Sequence, residues 1–477
     1  MSAWNRYWES FTISTARLSV FRFCFFLILG WDCWDQISHA PRYGAGGLNV
    51  SHLPMLDDLL PTPERLWMLG AFVLMSYLAF RIALGGATRY ALPLLTALWG
   101  ATYFISQLDS YQHHYLIFLV LLICCFVPWD APREDPKEDG SDERGSWAVR
   151  LLTVQISVLY FWTAVAKMDP LWLSGQTLST QIKVPWVKEW MLSAAQTLDT
   201  DIAGLWALAA VAVTVGELAV AAGWQLRRFY LPTMLLGLSF HIGVELVEFK
   251  IGLFSYFMMS IYLLIAPSSI IRALYGFRAF APRLPGGAVG TPALAIALVA
   301  GAAILSRVPF ESAALIITLI TGVALALEPR SDAGTRDQRA LIHVLVCLMI
   351  LGLHTQTEQM RDYFRFLGGD TRRRGDLITA TMAYRNVTEI DPTYASGFYR
   401  LGDLLYRQKK YEDAVAPLEQ ARVLDPDEWQ MHLRAAQVYD ALGRGPEAYA
   451  AASRVLQLKP DQSTAKKIAS RHRTSDP

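Results

Sequence analysis

Charged side chains are scarce in this chain: Asp, Glu, Lys and Arg make up 18% of its 477 residues, against about a quarter in a typical soluble protein. Basic and acidic residues nearly balance, 43 against 42, so the chain has no large excess of positive charge with which to bind nucleic acid. The shortage is uneven, because charges form about 14% of residues 1–355 and about 30% of residues 356–477. These proportions predict a membrane body followed by a soluble tail.

Cysteine is also rare, and its five positions lack the spacing of a zinc or redox motif: Cys24, Cys33, Cys124, Cys125 and Cys347. We therefore expect buried thiols that only pack, and no metal site. A cleavable signal is not expected either. The first apolar run starts near Ile13, lasts about a membrane width and is followed by others.

Long apolar runs fill the first 355 residues. They lie near residues 14–36, 66–86, 90–108, 115–129, 147–168, 203–224, 229–247, 251–267, 291–308, 311–328 and 339–355. Several are short for a membrane crossing, so we expect about 8–11 transmembrane helices. The predicted fold class is all-α, a polytopic helical membrane domain followed by a soluble α-helical tail.

Basic residues orient this body. The loops after the even-numbered runs carry Arg89, Arg133, Lys137, Arg144, Arg227, Arg228, Arg272, Arg278, Arg283, Arg330 and Arg336, and the opposite loops are poorer in them. Since cytoplasmic loops are enriched in Lys and Arg, this asymmetry places the N-terminus in the cytoplasm. With an odd number of spans, the tail is predicted to be extracytoplasmic.

The tail repeats with a period of 34 residues, marked by Pro392, Pro426 and Pro460. This pattern resembles the tetratricopeptide repeat, on Phe398, Leu401, Gly402, Ala414, Leu418 and Ala421 in the middle copy and on Phe364, Gly368, Ala380, Tyr384, Tyr439 and Ala448 in its neighbours. The resemblance implies stacked helix pairs that hold a peptide or partner protein. A spacer or dimerisation cap is the alternative.

Ionisable residues inside apolar runs are costly and therefore informative. We expect Arg81 and Arg150 to snorkel to the cytoplasmic surface, Glu217 to pair with another helix, and His343 to have no special role. Three other places, each at or near the outward-facing end of a run, are predicted to converge into one site: Lys167, the pair His113 and His114, and His241.

At these residues the sequence resembles the vitamin K-dependent gamma-glutamyl carboxylase family and its relatives, the horizontally transferred transmembrane (HTTM) domain proteins. The matching blocks are ARLSVFRFCFFLILGWD, LPMLDDLLPTPERLW, SYQHHYLIF, LYFWTAVAKMDPLWLSG and SFHIGVELVEFKIGLFSYFM. The resemblance implies a carboxylase-like transmembrane domain over residues 1–275, further transmembrane helices over 276–355 and the repeat domain over 356–477.

The resemblance also implies a chemistry. Lys167 matches the family lysine that deprotonates vitamin K hydroquinone, followed by Asp169, Trp172 and Gly175, whereas a neighbouring family lysine is Ala166 here. An amine is a base only when neutral, and burial favours that form. His113 and His241 match two family histidines, with His114 and Asp169 as supporting candidates. Reduced vitamin K, a naphthohydroquinone, would be the cofactor, O2 and CO2 the co-substrates, and a glutamate-containing peptide or protein the substrate.

Two departures leave alternatives open. The animal enzymes follow the membrane body with a large lumenal substrate-capturing domain, and the cysteines that link the two are not evident here. Quinol oxidation without carboxylation is one alternative. A non-catalytic membrane anchor that displays a protein-binding repeat is another, and a transporter is a weaker third because no inverted repeat is evident.

Overall fold

The computed structural model describes residues 11–43, 63–83, 88–108, 112–129, 143–249, 251–278 and 357–472, with single residues among the first ten and between 52 and 60. Its body contains α1 Thr15–Asp35, α2 Arg65–Ala83, α3 Thr88–Ile105, α4 Gln112–Cys124, α5 Trp147–Ala166, α6 Pro170–Leu173, α7 Gln176–Gln181, α8 Pro185–Thr197, α9 Ile202–Gly223, α10 Tyr230–Leu246, α11 Phe254–Ile261 and α12 Ser268–Arg278. The eight apolar runs predicted between residues 14 and 267 each coincide with a helix.

Four of the helical segments are long and apolar enough to cross a membrane: α2, α5, α9 and the segment Arg227–Leu246 that includes α10. The pair Phe254–Leu264 and Ser268–Leu274, bent by 115°, would be a fifth. Helix α1 has 21 residues but includes four charges. The runs predicted at 291–308, 311–328 and 339–355, and with them His343 and Cys347, lie outside the described residues.

A small sheet marks one end of the bundle. Strand β1 (Thr12–Ser14) pairs antiparallel with β2 (Glu143–Gly145), and the two strands lead directly into α1 and α5. The side chains of Ser14 and Ser146 cap these helices by accepting hydrogen bonds from backbone N–H groups in the first turn. Helices α1 and α5 therefore start at the same end.

The arginines expected to snorkel are instead buried. Arg81 and Arg150 are only 7% and 8% exposed. The Arg150 guanidinium lies 4.1 Å from the ring centre of Tyr7 and 5.7 Å from that of Phe11. Aromatic faces attract a cation through their quadrupole, so the N-terminal segment shields Arg150 from solvent.

The tail is a stack of antiparallel helix pairs. These are α13 Thr357–Arg373 with α14 Leu377–Ile390, α15 Ala395–Arg407 with α16 Tyr411–Leu424, and α17 Trp429–Ala441 with α18 Gly445–Leu458, closed by α19 Ser463–His472. Each repeat proline lies two residues beyond α14, α16 or α18. The small residues Ala380, Ala414 and Ala448 are fully buried where the paired helices meet. The prediction of a helical repeat is confirmed.

The tail packs onto the body through α13 and the 3-10 segment Gln36–Arg42, which directly follows α1. The Phe366 ring lies 5.4 Å from the His39 ring and 5.1 Å from the Arg42 guanidinium. Arg42 also donates to the Leu108 carbonyl at 3.2 Å, just before α4. The tail thus lies at the end of the bundle opposite the β1–β2 sheet.

Candidate functional site

Lys167 forms a two-bond ion pair with Glu217. It directly follows α5, and its Nζ lies 2.7 Å and 2.8 Å from the two carboxylate oxygens of Glu217 on α9. The side chains of Lys167 and Glu217 are 22% and 5% exposed. The expectation that Glu217 pairs with another helix is confirmed, and its partner is the lysine that the sequence singled out.

The residues after Lys167 build a cover over this pair. The Asp169 carboxylate caps α6 by accepting hydrogen bonds from the N–H groups of Leu171 and Trp172 at 2.9 and 3.1 Å. The Trp172 ring then lies 5.4 Å from the Lys167 Nζ. Its indole N–H is shared between the Ala210 carbonyl and the Thr214 hydroxyl on α9, at 3.2 and 3.1 Å. Asp169 therefore fixes the start of α6, which contains Trp172; that Asp169 supports a catalytic site stays a prediction.

Gly175 allows the segment that follows α6 to approach α9 closely. Its φ is +76°, and a Cβ atom there would lie 2.3 Å from the backbone of Trp206. Only glycine fits so close an approach in a left-handed conformation. Beyond it, α7 and α8 bury apolar side chains against the first half of α9, in a cluster of Leu178, Ile182, Val184, Val187, Met191, Trp206 and Ala210. This packing holds α7 and α8 against α9.

A chain of hydrogen bonds crosses the bundle near the pair. The Tyr262 hydroxyl donates to the Tyr160 hydroxyl at 2.8 Å, and the Tyr160 hydroxyl lies 2.8 Å from the His241 Nε2. Which group donates in the bond between Tyr160 and His241 depends on which ring nitrogen of His241 carries the proton. Gly237 makes room for this chain, because a Cβ atom there would lie 1.8 Å from the Tyr262 oxygen.

His113 and His241 lie against the same aromatic ring. The Phe254 ring at the start of α11 lies 5.6 Å from the His113 ring and 5.9 Å from the His241 ring. His114 instead lies edge-on to Trp99, 5.6 Å away. It lines a separate cavity of about 30 Å³, room for about one water molecule. The two histidine rings also contact each other edge to face, with their centres 4.5 Å apart, so His114 lies between the Phe254 site and Trp99.

Two buried polar atoms next to Phe254 have no hydrogen-bond partner among the residues that the structure describes. They are the Nδ1 of His241, which is 1% exposed, and the Oγ of Ser255, which is 0% exposed. An unsatisfied buried polar group costs about 1–3 kcal/mol, so such groups call for an explanation. Both atoms belong to residues next to the Phe254 ring, His241 in space and Ser255 in sequence.

The structure therefore brings His113 and His241 together, and it joins His241 to the face of α5 that ends in Lys167. Tyr160 lies seven residues before Lys167, two helical turns or about 10 Å along the axis. Lys167 itself bonds to Glu217 and to neither histidine. That all three line one cavity stays a prediction. The sequence analysis did not single out Tyr160 or Tyr262. The seven-residue spacing between Tyr160 and Lys167, which places these two residues on one helix face, could have pointed to Tyr160.

Residues 12–269, more than half of the chain, match the family model of the HTTM domain. The chain therefore belongs to the HTTM domain family. The match spans the whole described bundle, from β1 into α12, and so includes Lys167, Glu217 and both histidines at Phe254.

Solved structures similar to the tail are repeat proteins of low identity. The Arabidopsis OM64 TPR domain is 19% identical and covers 24% of this chain and 97% of its own, with a TM-score of 0.24. MamA is 19% identical over 30% of this chain and 84% of its own, with a TM-score of 0.23. TTC0263, a thermophilic TPR protein of Thermus thermophilus, is 18% identical over 38% of this chain and 98% of its own, with a TM-score of 0.21. The repeat assignment itself rests on the helix order and the 34-residue spacing.

Proposed function

We propose that this protein is an integral membrane enzyme of the vitamin K-dependent carboxylase type. In this proposal it oxidises a reduced naphthoquinone to its epoxide and couples that oxidation to carboxylation of glutamyl residues. Membership in the HTTM family, which is associated with those carboxylases, supports the proposal. So does the ion pair that the expected lysine forms with Glu217 beside the ring of Trp172.

The Lys167–Glu217 pair is the observation that carries the proposal. Taking two charges out of water is expensive, and replacing a buried ion pair by apolar residues is often neutral or stabilising. Ionisable residues within a membrane-spanning bundle accordingly mark functional sites by default. A membrane anchor has no need of this pair, whereas an enzyme that starts with proton removal needs a shielded amine.

The residues near Phe254 fit a reduced naphthoquinone. The unpaired Nδ1 of His241 and Oγ of Ser255 would bond to its oxygens, with Phe254 and His113 beside its rings. When bound, the naphthohydroquinone would supply, with O2, the oxidising power and strong base needed to remove a glutamyl γ-proton before CO2 adds. The protein's task is to position it and exclude water.

Each named side chain then has a task. Lys167 accepts a proton at Nζ, which a neutral amine does and a protonated one does not. The Trp172 ring lies beside that nitrogen. Tyr160 and Tyr262 fix the ring of His241, and His113 lies beside Phe254. The repeat tail, packed at the same end of the bundle, would hold the glutamate-containing protein or another protein partner.

The proposal is tested on the purified full chain in lipid nanodiscs with vitamin K hydroquinone and O2. Epoxide formation and incorporation of labelled CO2 into a glutamate-containing peptide are measured separately. Both activities together support the carboxylase, and epoxide alone identifies a quinol epoxidase. Absence of both, in protein that remains folded, would favour the non-catalytic anchor.

A further inference from the structure

We infer that the repeat tail binds an acidic polypeptide segment through three arginines that surround Tyr384. Arg365 and Arg372 lie on α13, Arg400 lies on α15, and Tyr384 lies on α14, which connects these two helices in the chain. We call Arg365, Arg372 and Arg400 the arginine cluster. The inference rests on the proposed function in one respect, because that proposal has the tail hold a glutamate-containing protein.

The hydroxyl of Tyr384 marks the place where the arginine cluster converges. The Tyr384 side chain is 5% exposed. Burial raises the pKa of Tyr384, and the positive charges of Arg400, Arg372 and Arg365 oppose that rise. Charges act on one another over about 10 Å or less at physiological ionic strength. The guanidinium groups of two helices therefore lie around one hydroxyl.

A fourth arginine lies beside the cluster. The position that a Cβ atom of Gly369 would take is 3.7 Å from the Arg373 Nη1 and 3.8 Å from the Tyr384 oxygen. Because residue 369 has no side chain, the space between that guanidinium and the hydroxyl stays open. Positive charge thus borders an open space on the surface of α13.

Acidic side chains of the tail leave the cluster only partly neutralised. Four aspartates of the first two repeats already pair with arginines: Asp362 with Arg361 and Arg365, Asp370 with Arg374, Asp391 with Arg361, and Asp403 with Arg407 and Arg434. Arg372 and Arg400 have no acidic partner among the residues that the structure describes. The Arg372 Nε is also buried and makes no hydrogen bond to a described group. Such donors favour the binding of an anion.

The chemistry of the cluster fits the carboxylates of a polypeptide. A guanidinium presents paired N–H groups in a fixed plane, and these match the two oxygens of a carboxylate. In an extended chain alternate side chains lie on the same side, about 7 Å apart. A glutamate-rich segment laid across α13 and α15 therefore presents successive carboxylates to the arginines of both helices. Arg372 and Arg400 are half-buried, which suits an extended chain better than the flat surface of a membrane.

The test is the binding of a fluorescein-labelled peptide of alternating glutamate and serine to the full chain in phosphatidylcholine nanodiscs, measured by fluorescence anisotropy. We expect saturable binding that weakens with added salt, and no binding of the same peptide with glutamine in place of glutamate. Arg372→Gln and Arg400→Gln should each raise the Kd about tenfold. The matched control Lys467→Gln removes the same charge from an exposed position on α19 and should leave the Kd unchanged.

Several results would overturn the inference. These are equal Kd values for the natural protein and both arginine variants, or equal binding of the glutamine peptide. Binding of phosphatidylglycerol vesicles by a natural protein that does not bind the glutamate peptide would show that the cluster faces a lipid surface instead.

The binding measurement needs no quinol turnover, so it separates this inference from the proposed function. Peptide binding that depends on Arg372 and Arg400, in a protein that makes no epoxide, would keep the inference and remove the proposed function. Epoxide formation without peptide binding would do the reverse.

Discussion

Tyr160 and His241 are joined by a 2.8 Å hydrogen bond across the interface of α5 and α10. Among the described residues, the other ring nitrogen of His241, Nδ1, has no hydrogen-bond partner, and neither has the Ser255 hydroxyl at the start of α11. The bond between Tyr160 and His241 connects the helix face that leads to Lys167 with the aromatic ring shared by His113 and His241. The orientation of His241 depends on a tyrosine 81 residues away in sequence.

Removing the Tyr160 hydroxyl should therefore impair quinol binding. A neutral hydrogen bond contributes about 0.5–1.5 kcal/mol, so Tyr160→Phe should raise the KM for vitamin K hydroquinone about two- to tenfold. The matched control is Tyr262→Phe, which keeps the bond between Tyr160 and His241 and should have a smaller effect. Steady-state epoxide formation measures both. An equal or larger effect of Tyr262→Phe would contradict this role of Tyr160.

Two glycines of α10 should respond oppositely to alanine. In Gly237→Ala the new methyl group would lie 1.8 Å from the Tyr262 oxygen, and overpacking of this kind costs about 1–3 kcal/mol. At Gly243 nothing lies within 4 Å of the new atom, so Gly243→Ala should be neutral or slightly stabilising. The thermal unfolding midpoint in detergent compares the two variants. Equal midpoints would show that Tyr262 moves aside at no cost.

Much of this architecture is predictable from sequence, because it depends on local patterns. Apolar run length predicted a helix at each of eight places up to residue 267 but not α6, α7 and α8, which are short or less apolar. Proline spacing predicted the repeat pairs. Glu217 was expected to pair with another helix, but its partner depends on how α5 and α9 rotate about their axes, which periodicity alone does not fix. The sequence analysis did not single out the buried charges of α1, such as Arg22 and Asp32, which lie among apolar neighbours in the sequence.

Protonation of Asp376 in acid should lower the stability of the repeat tail. Its carboxylate caps α14 by accepting a hydrogen bond from the Thr379 N–H at 3.0 Å, and the bonds to Thr379 lower the pKa of Asp376. A lowered folded pKa gives stability that is fully present above the unfolded value of about 3.9 and is lost as pH falls through the folded value. Asp376→Ala should destabilise α14 by about 1 kcal/mol at pH 7, and by less once the pH falls below the folded pKa.

Calorimetry of the full chain, following the unfolding transition of the tail, measures this difference. The control is Asp461→Ala, which removes an exposed carboxylate from the end of the stack. A difference between Asp376→Ala and the natural protein that stays constant from pH 7 to pH 2 would contradict the capping role of the charged form.

The tail and the β1–β2 sheet should lie on opposite sides of the membrane. Ile378, 80% exposed on α14, belongs to the tail, which packs at the far end of α1. Arg228 precedes α10 near the sheet, where its neighbour Arg227 pairs with Glu143. In intact cells a membrane-impermeant maleimide should label Ile378→Cys and not Arg228→Cys, with the natural protein as the background control. Labelling of Arg228→Cys alone would reverse the predicted orientation.

Variants of Lys167 give the clearest test of whether the protein is an enzyme or a membrane anchor. Removing its amine in Lys167→Ala should abolish epoxide formation while folding and membrane insertion persist, because a general base contributes about a hundred- to ten-thousand-fold in rate. Lys167→Arg should fail almost as badly, since a guanidinium stays protonated and accepts no proton, although it can still pair with Glu217. Lys188→Arg on exposed α8 is the matched control and should keep full activity.

If Lys167 served only to pair with Glu217 or to reach the membrane surface, arginine would substitute freely. Full epoxidation by Lys167→Arg would therefore exclude the base. Loss of carboxylation with epoxidation retained would move the lysine to the glutamate step.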